Sequence, residues 1–326
     1  MKTLIVLCAG SRMINGKPLY LNRHPEGMLL AEKTIEGIHP EEYDRIIYTI
    51  LRGAQEEFNA EKILLDSIGK KYPVEVVALE KQTNGPAHTV YETIQKANIE
   101  GEFAVRDSLN WITINGKADG NFIAGLDLTL YDGEVFKVRT KSFIITNEQS
   151  QVLDVVEKKF RSDVISVGLY GFKSVNDYNL AYERLNDINY PIKRLYLSNI
   201  ISYLIGYRNR VFHCVDVNEH EDWGSEETWH FLQNKYEMCF VNLDEIVATD
   251  SDSFEKDILD IFSLKKNKKQ SYVFYTVRKN IEEEALKSKL NENGINCLAI
   301  ISSCPLTDTK VFINNEDELN KVLIGV

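Results

Sequence analysis

Residues 219–229 read EHEDWGSEETW. Three carboxylates, Glu219, Glu221 and Asp222, precede Trp223-Gly224-Ser225. Two more, Glu226 and Glu227, lead into an apolar run through Trp229, Phe231 and Leu232. This is the pattern of a helix start: Ser225 as the N-cap, acids in the first turn, apolar residues after it. Gly224 lets the backbone turn tightly into that helix or come close to a ligand. Asp222 then stands just ahead of a positive helix end, where a metal ion or a phosphate can be held. Taken alone, the eleven residues have a plainer and commoner reading, an acidic surface loop in front of a helix.

The elements that must position such a site alternate along the first half of the chain. LIVLCA (4–9) is a buried strand running into a loop at Gly10, and RIIYTIL (45–51) is a second β-branched run. GAQEEFNAEKILLDSIGKKY (53–72) has the spacing of one amphipathic helix. VEVVAL (74–79) is a third strand, GPAHTVYETIQKAN (85–98) a helix opened by Gly-Pro, and EFAVRDSLNWITI (102–114) a fourth strand. This β-α-β-α-β order predicts an α/β fold with a mixed, mostly parallel sheet flanked by helices. Ligands in such folds lie beyond the carboxyl ends of the strands. From about residue 127 the pattern shifts to runs that suggest some antiparallel strands, and KRLYLSNIISYLIGYR (193–208) reads as a helix. A second, small α/β pattern starts at MCFVNLDEIV (238–247). The expected organisation is one domain over 1–234 and another over 235–326.

Composition narrows the function classes. Acids outnumber bases, 49 to 38, for a net charge of −11, which argues against a nucleic-acid or anionic-membrane surface. The five cysteines are widely spaced and form no CxxC, so the expectation is reduced thiols in a cytoplasmic protein, without zinc or a disulfide framework. The apolar run in MKTLIVLCAGSR is too short for a secretory h-region, and no stretch approaches the length of a membrane span. An exposed aromatic patch would support a homo-oligomer, although buried aromatics are the commoner case. No G-x-G-x-x-G follows the first strand, which argues against a dehydrogenase-like dinucleotide site.

Several fragments share one order: LCAGSR with KPLYL (7–12, 17–21), QTNGPAHTV (82–90), FAVRDSLNW (103–111), VVEKK (155–159), SVGLYGFKS (166–174), YLSNII (196–201) and DWGSEETW (222–229). The series resembles the nucleotidyltransferases that join a nucleoside triphosphate to a sugar phosphate or related phosphate, and looks most similar to members from bacterial capsule and surface-glycan clusters. The resemblance implies a GT-A/Rossmann-like nucleotidyltransferase fold. It implies transfer of NMP from an NTP, CTP or UTP favoured, to a sugar- or alcohol-phosphate, with pyrophosphate release and Mg²⁺ as cofactor. It assigns Ala9, Gly10 and Ser11 to the phosphate loop, with Arg12 and Lys17 as the catalytic cations on triphosphate and leaving group. Gln82 and Gly85 fall in the base-reading stretch. Glu157 and Lys158 match the pair that contacts the acceptor, Gly168 and Tyr170 the strand that closes the acceptor pocket, and Asp222 the segment supplying a metal carboxylate.

The chain also departs from the pattern. Cys8-Ala9-Gly10 runs directly into Ser11-Arg12, a shorter loop with fewer backbone donors. Where such proteins read Asp-Ser-Asp-Asn, this chain reads Asp107-Ser108-Leu109-Asn110. Leucine offers a hard cation no lone pair. Strand alternation would put residues 107 and 109 on one face, making Asp107 the substitute ligand beside nucleotide and metal. The C-terminal pattern resembles a capless haloacid-dehalogenase-like (HAD-like) domain with Asn242 at the nucleophile position and Asp244 at the second acid. An amide cannot form an aspartyl-phosphate. YTVRK (275–279) resembles its Thr-containing second motif, and Asn314 and Asn315 stand where metal-binding acids are expected. Two readings follow: a nucleotidyltransferase, or a non-catalytic relative that binds a nucleotide, a nucleotide-sugar or a partner subunit.

Overall fold

A computed structural model of the chain describes residues 1–14, 16–133, 135–188, 194–236, 238–246, 271–276, 282–293, 295, 297–301 and 312–313. The chain divides into two compact units. The first joins Met1–Arg12 to Ala31–Gly224, and the second joins Met13–Leu30 to Ser225–Val326.

The first unit is built on a ten-stranded sheet. Its parallel part has the order β5 (Val74–Leu79), β4 (Arg45–Leu51), β1 (Lys2–Leu7), β6 (Glu102–Asp107). These strands are apolar on both faces because helices cover them: Leu4, Ile5 and Val6 in β1, and Ile46, Ile47 and Tyr48 in β4, are fully buried. The expectation of a mostly parallel sheet ends there. β11 (Val164–Phe172) runs antiparallel to β6, to β8 (Phe122–Asp127) and to β9 (Ser142–Thr146). β10 (Val152–Glu157) is antiparallel to β9, and β12 (His213–Asp222) is parallel to β8 and antiparallel to β7 (Asn110–Ile114). The sheet is mixed rather than mostly parallel. After β6 some connections between strands are short, and a short return such as that between β9 and β10 favours antiparallel pairing.

Helices α4 (Pro86–Ala97), α5 (Val175–Ile188) and α6 (Leu197–Arg208) close one face of the sheet. Phe103, Phe172, Tyr178 and Phe212 pack ring to ring there, with centroids 5.0 to 6.0 Å apart. Each such ring, removed from water, contributes about 1.5–3 kcal/mol.

Two elements expected to be continuous are broken. The helix over 53–72 is two helices, α2 (Arg52–Phe58) and α3 (Ala60–Ser67), separated by Asn59 at φ +52°. Asparagine tolerates that left-handed conformation better than most residues. The strand over 102–114 stops at Asp107 and resumes at Asn110. The Asp107 carboxylate accepts the Leu109 N–H at 3.1 Å and the Asn110 side-chain amide at 3.0 Å, a local turn that competes with the ladder. Asp107 and Leu109 therefore do not alternate along one strand, and the shared-face argument for them fails.

In the second unit β2 (Met13–Ile14) and β3 (Lys17–Pro18) pair antiparallel. β13 (Met238–Asn242), β14 (Ser271–Tyr275), β15 (Cys297–Ile301) and β16 (Phe312–Ile313) form a four-stranded parallel sheet of order β15-β14-β13-β16. α7 (Glu226–Lys235) opens as expected at Ser225. Its Oγ accepts the Thr228 N–H at 3.1 Å, and Thr228 Oγ1 accepts the Ser225 N–H at 2.9 Å, a reciprocal cap with threonine in the third helical position. Among the described residues no helix is long and apolar enough to cross a membrane.

Candidate functional site

Leu7, Leu51, Leu79 and Asp107 end four adjacent parallel strands on one edge of the first unit. The segments 8–12, 80–85 and 108–109 leave from that edge, where open α/β sheets place ligands. Asp107 is the register partner of Leu7, and the Ser108 hydroxyl ties the two strand ends together by donating to the Leu7 carbonyl at 2.7 Å. The loop Ala9-Gly10-Ser11-Arg12 starts two residues past Leu7. Ala9 is buried, whereas Gly10, Ser11 and Arg12 are exposed. Space around Gly10 is open: an added Cβ would meet nothing within 4 Å.

The second wall comes from the antiparallel half. Asp222 ends β12 opposite Asn110 of β7. Its Oδ2 accepts from Lys141 Nζ at 2.7 Å and its Oδ1 from the Gly224 N–H at 2.7 Å. Lys141 sits just ahead of β9 and is fixed through its carbonyl, which accepts the Lys158 N–H at 3.1 Å. The Glu157–Lys158 pair is thus one ladder step from Lys141. Glu157 accepts the Ser142 and Ser198 hydroxyls. Lys158 adopts φ +55° and donates to the Tyr196 hydroxyl at 2.6 Å.

Arg106 underlies the site. Its guanidinium, fully buried, donates to the carbonyls of Thr34 (2.9 Å), Val167 (3.0 Å), Gly168 (3.3 Å) and Asn110 (2.7 Å), and to the Asn110 side-chain oxygen (2.7 Å). It lies 3.6 Å from the Asp107 carboxylate. Gly168, at φ +83°, presses on the other carboxylate oxygen of Asp107, and a Cβ there would overlap it. Gly168 must be glycine both for its backbone conformation and to leave Asp107 its place. Tyr170 lies two residues on, and its hydroxyl accepts from Ser166 at 2.9 Å.

The two carboxylates are tuned in opposite directions. Burial holds the Asp107 carboxyl above its ordinary value, against the opposing pull of Arg106, the Leu109 N–H and Lys141. For Asp222 burial pushes up as well, but the Lys141 charge and hydrogen bond and the Gly224 N–H outweigh it and leave the group below its ordinary value. His220, two residues before Asp222, is pushed down to about 4 by burial and then by Lys141. Both of its ring nitrogens are buried without a hydrogen-bond partner.

Of the residues singled out from the sequence, Asp107, Gly168, Tyr170, Glu157, Lys158 and Asp222 are linked by these contacts, with the Gly10–Arg12 loop leaving from the same edge. Gln82 and Gly85 lie beyond the end of β5. Gln82 is exposed, while Gly85, at φ +143°, is buried against Leu195, whose carbonyl a Cβ would approach to 2.7 Å. Lys17 belongs to the second unit, in β3 opposite Ile14. Sequence reading missed Lys141, Arg106 and His220, and took Asn110 only as the end of the Asp107–Asn110 motif. Of the missed residues only Arg106 carried a signal, as a charge inside the apolar run FAVRD.

The donor set fits a divalent cation poorly. A hard cation such as Mg²⁺ wants near-octahedral oxygen ligands. Here both Asp222 oxygens hold donors, one of them a lysine ammonium. Asp107 Oδ1 accepts two donors, and Leu109, exposed, offers a cation no lone pair. Among the described residues no group of three or more His, Cys, Asp or Glu side chains is placed to hold a metal ion.

By sequence, no family model matches this chain, and no curated protein does. By structure it is similar to a nucleoside-diphosphate-sugar pyrophosphorylase from Vibrio cholerae RC9, at 19% identity over 72% of this chain and 100% of that one, with a TM-score of 0.58. It is also similar to the inositol-1-phosphate CTP transferase from T. maritima (12% identity, 72% and 96% covered, TM-score 0.54) and to a UDP-glucose pyrophosphorylase solved with UDP-glucose (15%, 72% and 98%, 0.54). The fold is that of these nucleotidyltransferases. At such identities the likeness carries the fold and not the substrate.

Proposed function

We propose that the carboxyl edge of the first unit binds a nucleoside triphosphate, CTP or UTP favoured, and a sugar- or alcohol-phosphate, and transfers NMP between them in the synthesis of a surface-polysaccharide precursor. The observation that carries this reading is the cluster of Asp107, Lys141 and Asp222, one ladder step from Glu157–Lys158, on the edge where the exposed Gly10–Arg12 loop begins. The reaction needs no protein nucleophile. An acceptor phosphate oxygen forms a bond to the α-phosphorus, the bond from that phosphorus to the β-phosphate bridging oxygen breaks, and pyrophosphate leaves. Both reactants are anions, so the protein's part is to hold them in line and offset their repulsion. Arg12 serves the triphosphate and leaving group, Lys158 the acceptor phosphate, and Lys141 the phosphate charge nearest Asp222. Gln82 and Gly85 face the base. The setting is cytoplasmic, where nucleoside triphosphates are supplied.

Exposed Leu109 and the Lys141–Asp222 pair favour a second reading, a relative that binds the nucleotide or nucleotide-sugar without turning it over. Pyrophosphate release with each NTP and a panel of sugar and alcohol phosphates, with and without Mg²⁺, separates the two. Release with at least one pair supports transfer. Tight NTP or nucleotide-sugar binding without release supports the second reading, and neither binding nor release sinks both.

For the second unit we propose a HAD-like fold without phosphatase chemistry. Asn242 stands at the carboxyl end of β13, where its Oδ1 accepts the Asp244 N–H at 3.1 Å, and Thr276 donates to Asp244 at 2.7 Å. These contacts support the reading, in which an amide takes the place of the nucleophile. Asn314, Asn315 and residues 277–279 lie outside the described residues. Hydrolysis of p-nitrophenyl phosphate should stay at background, and steady turnover would refute the proposal.

A further inference from the structure

We infer that Lys141 is the site's own counter-cation, standing where a divalent ion would otherwise join Asp222, so that the cleft takes a polyphosphate ligand without bound metal. The inference rests on the reading of this edge as a nucleotide site, and four observations carry it. Lys141 Nζ is 2.7 Å from Asp222 Oδ2, and both groups are largely covered, with side chains 20% and 11% exposed. The other Asp222 oxygen accepts the Gly224 N–H at 2.7 Å, so each oxygen already holds a donor and a metal would have to compete with the Lys141 ammonium for the carboxylate's charge. Lys141 is anchored at its base, where its carbonyl accepts the N–H of Lys158, the residue after β10. Finally, the residue that would supply the second acid is Leu109. Its Cβ lies 3.0 Å from where a Gly224 side chain would begin, so hydrocarbon rather than a carboxylate stands beside Asp222.

The electrostatic logic is simple. A lysine ammonium a few ångströms from a divalent ion repels it in a partly buried site, so Lys141 and a metal ion on the same carboxylate each weaken the other's hold. The same ammonium has three donors. One is spent on Asp222, and the others are free in direction to meet phosphate oxygens as a point charge. Asp222 orients the lysine rather than coordinating an ion, so loss of the Lys141 charge should turn a metal-free site into a metal-seeking one.

The test uses the full chain and two probes: Mn²⁺ alone, followed by electron paramagnetic resonance, and CTP and UTP, followed by calorimetry in EDTA and in Mn²⁺. Wild type should leave the free Mn²⁺ signal unchanged, and its nucleotide affinity should differ by less than about twofold between the two buffers. Lys141→Ala should bind Mn²⁺ at least about tenfold more tightly than wild type and lose at least about tenfold in nucleotide affinity in EDTA, with recovery in Mn²⁺. Lys141→Gln keeps an N–H donor for Asp222 without the charge, and should behave as Lys141→Ala does if charge is what matters. Mn²⁺ uptake by wild type that is abolished in Asp222→Asn overturns the inference. So does a Lys141→Gln protein that is folded by circular dichroism and binds nucleotide in EDTA as tightly as wild type. If no nucleotide binds any variant, the nucleotide reading of the edge fails, while the Mn²⁺ arm still decides the role of Lys141.

Discussion

The ends of β6 and β12 each carry an aspartate, and the two are built in opposite ways. Asp107 closes its own turn, receives the Leu109 N–H and the Asn110 amide, and lies against a glycine with a buried guanidinium behind it. Burial dominates, and its carboxyl is held above the ordinary range. Asp222 is more covered, with 11% of its side chain exposed against 33% for Asp107, yet it is held below the ordinary range. The difference is Lys141: one direct ammonium outweighs desolvation, whereas a guanidinium 3.6 Å away and committed to five neutral acceptors does not. Charged groups whose environments push them apart are a recurring mark of working sites. Here the mark lies on two strand ends joined through Asn110, whose amide donates to Asp107 and which is the register partner of Asp222.

The largest way to break the comparison is from below Asp107. Arg106→Ala should cost about 3–5 kcal/mol in urea unfolding, because it strands buried carbonyls and removes the charge facing Asp107. A loss under about 1 kcal/mol would show that the guanidinium does not hold this end together. The next effect concerns the Asp222 end and is read in pH. In the fold His220 takes up its proton only at about 4, against 6.5 in the unfolded chain. The unfolded state therefore takes up the proton first, and stability falls as pH drops from about 6.5 towards 4, by on the order of 2–3 kcal/mol. His220→Phe should flatten that slope between pH 6.5 and 5, and an unchanged slope would remove His220 as its source.

The smallest effect sharpens the contrast most. At neutral pH Asp222→Asn should lower stability by about 1–2 kcal/mol, since a lowered carboxyl stabilises the fold above its unfolded value and loses that on acidification. Asp107→Asn should leave stability unchanged or raise it by up to about 1 kcal/mol, since a raised carboxyl weakens the fold when ionised. Asparagine also keeps an oxygen for the Leu109 N–H. Thermal melts of both variants at pH 7 and pH 4.5 check this, and shifts of the same sign at pH 7 would contradict it.

Much of this edge was legible in residue order. The strands LIVLCA, RIIYTIL and VEVVAL announce themselves by β-branched runs, and Ser225 with two acids announces a helix start. What stayed hidden depended on pairing across the sheet. Lys141 comes 81 residues before its partner Asp222, and nothing around KVRTKSF distinguishes it from a solvated lysine. The break at Asp107 was hidden for a local reason: an Asx-type turn and a continuing strand share the run FAVRDSLNWITI, and only the side-chain hydrogen bonds choose between them. The change to antiparallel pairing after β6 was legible only as a change of texture near residue 127, because strand direction is set by connection geometry rather than by composition.

The central claim is that this carboxyl edge holds a polyphosphate. A crystal grown with CTP or UTP tests it most directly. Triphosphate density is expected between the Gly10–Arg12 loop and Lys141, with a phosphate oxygen at hydrogen-bond distance from Lys141 Nζ. A well-ordered nucleotide bound elsewhere, with this edge filled only by water, would contradict it.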